Sequence, residues 1–182
     1  MVKSKKDKVT IAMSTGMKTP SNELFVGIDP GANGAIIGLQ GREVMNCFKM
    51  PRDERGILDI LHEVGHLWEV KSSQGLVRLE WIHPAIQGVG KSSMSKLYGN
   101  YMQLRMALAA SGLRWETVRA QDWQRALGIA RRKKTETTTQ WKNRLKARAQ
   151  QLFPQEKIML WNCDALLIAT YCQRFEQGML KK

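Results

Sequence analysis

Three acidic residues stand where an apolar element has no use for a charge. Asp29 ends the run Leu24-Phe25-Val26-Gly27-Ile28, Glu80 ends Leu76-Val77-Arg78-Leu79, and Asp164 opens Ala165-Leu166-Leu167-Ile168-Ala169. A carboxylate at the inner end of a core element loses its water, which costs several kcal/mol unless donors or a cation compensate. Two of the three also have ordinary uses. Asp29 can form a turn before Pro30-Gly31, and Asp164 can cap a helix. Glu80 is the hardest to explain that way, because a Leu/Val/Trp strand is a poor place for an unpaired acid. Three such groups meeting at one sheet end would repel one another, and the simplest neutraliser is a hard divalent cation. Mg²⁺ fits, with Mn²⁺ as the other choice, since both accept carboxylate oxygens, water and phosphate.

The pattern around the acids is that of an α/β domain. Short apolar runs bounded by turn residues predict strands over 24–28, 35–39, 43–50, 75–81 and 115–118. Apolar residues at helical spacing predict helices over 56–68, 94–112 and 121–127, in the second half of 131–153, and over 163–175. A meander followed by strands alternating with helices predicts a mixed five-stranded sheet with helices on both faces. Residues 1–22 read as a flexible basic arm, and 23–182 as the folded domain.

Charge limits the choice of partner. The chain has 182 residues, and its 29 Lys+Arg against 16 Asp+Glu leave a net charge of +13. That predicts a polyanionic partner, nucleic acid before a membrane surface. The basic residues cluster in the arm (Lys3, Lys5, Lys6, Lys8) and again at Arg131, Arg132, Lys133, Lys134, Lys142, Arg144, Lys146 and Arg148. No apolar run reaches the ~18–20 residues of a membrane span, so no membrane partner is expected. Cys47, Cys163 and Cys172 lack the number and spacing of a disulfide framework or zinc site, and His62 with His66 lacks a third zinc ligand. No secretory core is present and no Arg precedes Arg42. The expected location is the cytoplasm of a bacterium or phage-infected host, with an organelle as the other setting.

Ile28-Asp29-Pro30-Gly31-Ala32-Asn33-Gly34-Ala35 resembles the first-strand signature of RuvC-type Holliday-junction resolvases, and Glu80 and Asp164-Ala165-Leu166-Leu167-Ile168-Ala169 follow in that family's order. The segments Gly88-Val89-Gly90-Lys91-Ser92-Ser93-Met94 and Gln121-Asp122-Trp123-Gln124-Arg125-Ala126-Leu127-Gly128 are similar to phage and organellar members. The resemblance spans about Leu24 to Tyr171 and implies a ribonuclease H-like fold. It implies a homodimer that nicks four-way DNA junctions symmetrically by two-metal-ion hydrolysis, leaving 5′-phosphate and 3′-hydroxyl ends. Asp29, Glu80 and Asp164 become the catalytic, metal-holding acids. The chain departs from the family at Leu160 and Trp161, where a further acid or His is usual.

Junction binding is expected from His83, Gln87, Lys91, Ser92, Met94, Lys96, Arg105, Arg131, Arg132, Lys133 and Lys134. His83, Gln87 and Met94 are candidates to enter the crossover, with core packing as the alternative for Met94. Leu97, Tyr101, Leu104 and Leu108 form a seam that suits either a dimer interface or internal packing. Two other functions fit the same residues: a branched-DNA-binding protein with little or no cleavage, and a ribonuclease H-fold nuclease acting on RNA or other branched DNA.

Overall fold

A computed structural model describes residues 23–70, 75–85 and 90–180. The basic arm over 1–22 and Gln87 lie outside them. Within them the chain runs β1 (Phe25–Asp29), β2 (Ala35–Gln40), β3 (Glu43–Lys49), α1 (Glu54–Val70), β4 (Leu76–Glu80), α2 (Lys91–Ser111), β5 (Trp115–Val118), α3 (Ala120–Ala126), α4 (Thr138–Leu152) and α5 (Cys163–Glu176). The strands form one sheet in the order β3-β2-β1-β4-β5. The β1–β2 and β2–β3 pairs are antiparallel, while β1–β4 and β4–β5 are parallel. This is the mixed five-stranded sheet that the sequence pattern predicts, and every predicted element is present with only its ends shifted.

Side chains alternate across a pleated strand, so each strand feeds two cores. Val26 and Ile28 of β1, with Val77 and Leu79 of β4, pack with Ile57, Leu61 and Val64 of α1 and with Leu104 and Leu108 of α2. Ala35, Ile37 and Leu39 of β2 pack on the other face with Trp123, Leu145, Ala149 and Leu166, which belong to α3, α4 and α5. Helices therefore cover both faces. α5 is buried from Cys163 to Gln173 and is mostly apolar on every side over that stretch, with Asp164, Thr170 and Gln173 as its polar members.

Two features set the edge where the acids lie. The parallel pairing of β1 with β4 places Ile28 beside Leu79, so Asp29 and Glu80 leave the sheet side by side. Gly27 lets α5 lie directly on β1. A Cβ at that position would stand 2.1 Å from the Ala165 carbonyl oxygen and 2.4 Å from the Ala169 nitrogen. The first turn of α5, which carries Asp164, is thereby brought to the same end of the sheet.

One buried cation in the apolar run of β4 is paired through both terminal nitrogens, while its Nε has no hydrogen-bond partner. Arg78 is 6% exposed, pairs with Glu116 at 2.8 Å and Glu176 at 3.2 Å, and lies over the Phe175 ring at 5.1 Å.

Candidate active site

The turn after β1 is tight and anchored. Gly31 has a φ of +106°, a conformation that L side chains rarely adopt, and its carbonyl accepts from the Gly34 N–H at 2.8 Å. Its own N–H donates to Asn100 Oδ1 of α2 at 2.8 Å. Helix α2 thus fixes the backbone that leads out of Asp29. Asp29 does more than form that turn, because its carboxyl lies within hydrogen-bond reach of Glu80.

Glu80 is held from the far side by α3, where the fully buried Trp123 donates its indole N–H to Oε1 at 3.2 Å. Asp164 lies in the first turn of α5, with Asn162 at the N-cap position, so it is not the cap. It is buried at 6% exposure. One of its oxygens accepts from the ammonium of Lys142 and the other from the Cys163 thiol at 3.2 Å. Lys142 is presented by α4, whose start is fixed by a capping box between Thr137 and Gln140.

The electrostatics follow from this crowding. Burial, then Asp164 and Glu80, hold the Asp29 carboxyl well above the usual carboxylate range. Burial, then Asp164, push Glu80 up to about 7, although its bond from Trp123 opposes the rise. Burial alone would lower the Lys142 ammonium, but Asp164 and Asp29 more than reverse that and raise it. Burial and the adjacent Asp164 raise the Cys163 thiol, so it stays protonated and serves as a donor.

The donor set fits a divalent cation at the Asp29–Glu80 pair. Two adjacent carboxyls, both raised by burial and by the charge of Asp164, form a site whose unmet need is positive charge. Among the described residues, no group of three or more His, Cys, Asp or Glu side chains is already arranged to hold a metal ion. The third carboxylate is instead engaged by Lys142 and Cys163. Nor does Asn162 complete the set: its Oδ1 accepts from the Met159 N–H at 2.7 Å and its amide donates to the Lys157 carbonyl at 3.3 Å.

At Asp29 opens a cavity of about 960 Å³ lined by Asp29, Arg52, Lys96, Asn100, Gln103 and Lys142, among others. Of the residues expected to touch DNA, Lys96 borders this cavity, and Lys91 and Ser92 are exposed at the start of α2. Arg105 is exposed further along α2. Arg131 and Arg132 line a neighbouring cleft of about 500 Å³ with Gln121, Arg125 and Trp141. Lys133 and Lys134 are exposed in the loop before α4. Arg132 is partly committed to that loop, because it donates to the Glu136 carbonyl at 3.0 Å and Thr138 at 3.2 Å. His83 is exposed and meets the Trp81 ring edge-on at 5.4 Å.

Two alternatives left open by the sequence fall on the side of internal packing. Met94 is 8% exposed and belongs to the core between α1 and α2, so it cannot enter a crossover as it stands. Tyr101, Leu104 and Leu108 are also buried within the chain, which makes their seam internal packing. The residues that sequence reading passed over are Lys142, Trp123, Arg52, Asn100 and the exposed Trp81. Lys142 had a signal: it stands three residues before Leu145 and seven before Ala149, both buried, so it shares their face.

No family model matches this sequence, and no curated protein matches it. Solved structures do match. A structure of Thermus thermophilus RuvC aligns with a TM-score of 0.51 at 15% identity, covering 87% of this chain and 98% of that one. The structure of T. thermophilus RuvC in complex with Holliday junction substrate aligns with a TM-score of 0.56 at 13% identity and the same coverage. The chain has a RuvC-type, ribonuclease H-like α/β fold.

Proposed function

We propose that this protein is a structure-selective DNA endonuclease that cuts four-way junctions with the help of a divalent cation, Mg²⁺ or Mn²⁺. The observation that carries the reading is the meeting of Asp29, Glu80 and Asp164, from β1, β4 and α5, where Asp29 opens onto a basic cleft. The fold shared with a RuvC solved on a Holliday junction supports the choice of substrate. A cation bound by Asp29 and Glu80, with Asp164 beside it, supplies Lewis-acid charge to a phosphodiester and a more acidic water.

The chain's own groups do the rest. Arg52 and Lys96 border the cleft and hold the strand by its phosphates. Lys142 keeps its proton, because two carboxylates favour the ammonium, so it acts as a fixed positive charge and not as a base. Trp123 and Asn100 hold Glu80 and the Asp29 turn in place. Arg131, Lys133, Lys134, Lys91 and Arg105 extend the phosphate contacts along the arms. Trp81, 38% exposed directly after Glu80, with His83 against its edge and Arg119 over its ring at 5.8 Å, offers a surface for an unstacked base.

Paired nicks need two centres, and each chain carries one, so the working form is a homodimer. Leu58, Met102 and Met106 are exposed and line an apolar groove between α1 and α2. That groove, and not the buried seam, is the surface assigned to the second copy.

The test is incubation of a synthetic four-way junction with Mg²⁺ and either wild type or Asp29→Asn. Symmetric paired nicks by wild type and none by the variant are expected. Tight junction binding with no cuts in Mg²⁺ or Mn²⁺ would favour a binding protein, and preferential cutting of RNA would favour a different nuclease of this fold.

A further inference from the structure

The three acids do not stand alike. Asp29 and Glu80 face each other, whereas Asp164 faces Lys142. A second divalent ion next to Asp164 would need further hard oxygen donors. Among the described side chains none is offered on that side. Leu160 and Trp161 have no side-chain oxygen, and Leu160 is exposed. The Asn162 oxygen is occupied by Met159. Cys163 gives a protonated sulfur, a soft donor that suits neither Mg²⁺ nor Mn²⁺. What does lie there is the ammonium of Lys142, close enough for its charge to reach Asp29 and Glu80 as well. When all three acids are ionised, as a bound cation requires, three carboxylates against one ammonium leave two negative charges, which one divalent ion neutralises. A second ion would have to sit against a like charge, and that repulsion is large where water is scarce.

We propose that this centre takes a single divalent ion at Asp29 and Glu80, and that Lys142, seated on Asp164, supplies the positive charge of the second ion. The proposal rests on the metal-dependent reading above and narrows the two-ion scheme that the resemblance implies. It assigns Lys142 a fixed electrostatic role beside the phosphate, with no proton transfer required of it.

Bound Mn²⁺ per chain, counted from the free ion by electron paramagnetic resonance as Mn²⁺ is raised to millimolar, tests this without reference to activity. One site in wild type, lost in Asp29→Asn, is the expected result. Two sites in wild type would overturn the single-ion proposal and leave the metal-dependent reading intact. No site at all would overturn both. Lys142→Glu is expected to add a second site, and a folded variant that still holds one would contradict the place given to Lys142. Should that variant fail to fold, Lys142→Gln serves: its metal-free melting temperature is expected to fall, with Mn²⁺ restoring it. A melting temperature indifferent to Mn²⁺ would count against the proposal.

Discussion

The indole N–H of Trp123 donates to Oε1 of Glu80 at 3.2 Å, from a ring with no accessible surface. The position of the Glu80 carboxylate is therefore set by the core between the sheet and α5, not by its own strand. Partners of this kind, one step behind a metal-holding side chain, typically govern affinity or rate by about 10–100-fold. Trp123→Phe, which keeps an aromatic ring in the core and removes the donor, is expected to slow junction cleavage within that range. Junction binding, measured by gel shift, is expected to hold. An unchanged cleavage rate would mean that Glu80 needs no such support.

Glu80 also gives a pH prediction whose sign is fixed. Burial and Asp164 hold its folded pKa at about 7, above the ~4.3 of an unfolded glutamate. Between those values the folded chain binds more protons than the unfolded one. The stability linked to protonated Glu80 is thus complete below about pH 4.3 and is lost as pH rises through about 7. Glu80→Gln cannot ionise, so in chelator its unfolding free energy is expected to gain on wild type across that window. The gain should reach about 3–4 kcal/mol and then level off. A difference between the two proteins that does not grow with pH would contradict the pKa assigned to Glu80.

Much of this was legible in the sequence, and the exceptions have physical causes. The strands and the three acids stand out because apolar runs end abruptly in charge, a pattern that needs no tertiary knowledge. Lys142 is easily passed over because it shares a segment with Arg144, Lys146 and Arg148, and its spacing to Leu145 and Ala149 gives a face but not the carboxylate it meets. Met94 lies seven residues before Tyr101, and that shared face decided its burial. Nothing in the sequence ties Trp123 to Glu80, which stand 43 positions apart. The seam on α2 carries the right periodicity for a helix partner, but periodicity cannot say whether the partner is α1 or another chain.

Gly27 is the joint between fold and site. A methyl group there would press on the Ala165 carbonyl at 2.1 Å, against backbone that cannot rotate away. Gly27→Ala is expected to push α5 off β1 and to cost about 3 kcal/mol, at the upper end of overpacking penalties. Urea unfolding reads that loss. Junction cleavage is expected to fall further than the folded fraction does, because Asp164 moves with α5. Cleavage that tracks the folded fraction alone would show that the approach of α5 matters only to stability.

Met106 is 72% exposed in the groove assigned to a second copy. Met106→Glu places a charge in that apolar surface and is expected to give monomers by light scattering while leaving the melting temperature near wild type. On a four-way junction the variant should leave single, unpaired nicks. A dimer that survives Met106→Glu would place the interface elsewhere.

The account depends most on the two carboxylates that leave the sheet side by side forming one cation site. Anomalous diffraction from crystals grown with Mn²⁺ tests that directly. One strong peak within ~2.0–2.3 Å of oxygens from both Asp29 and Glu80 is the predicted result. A peak elsewhere, with those two carboxylates unliganded, would contradict it.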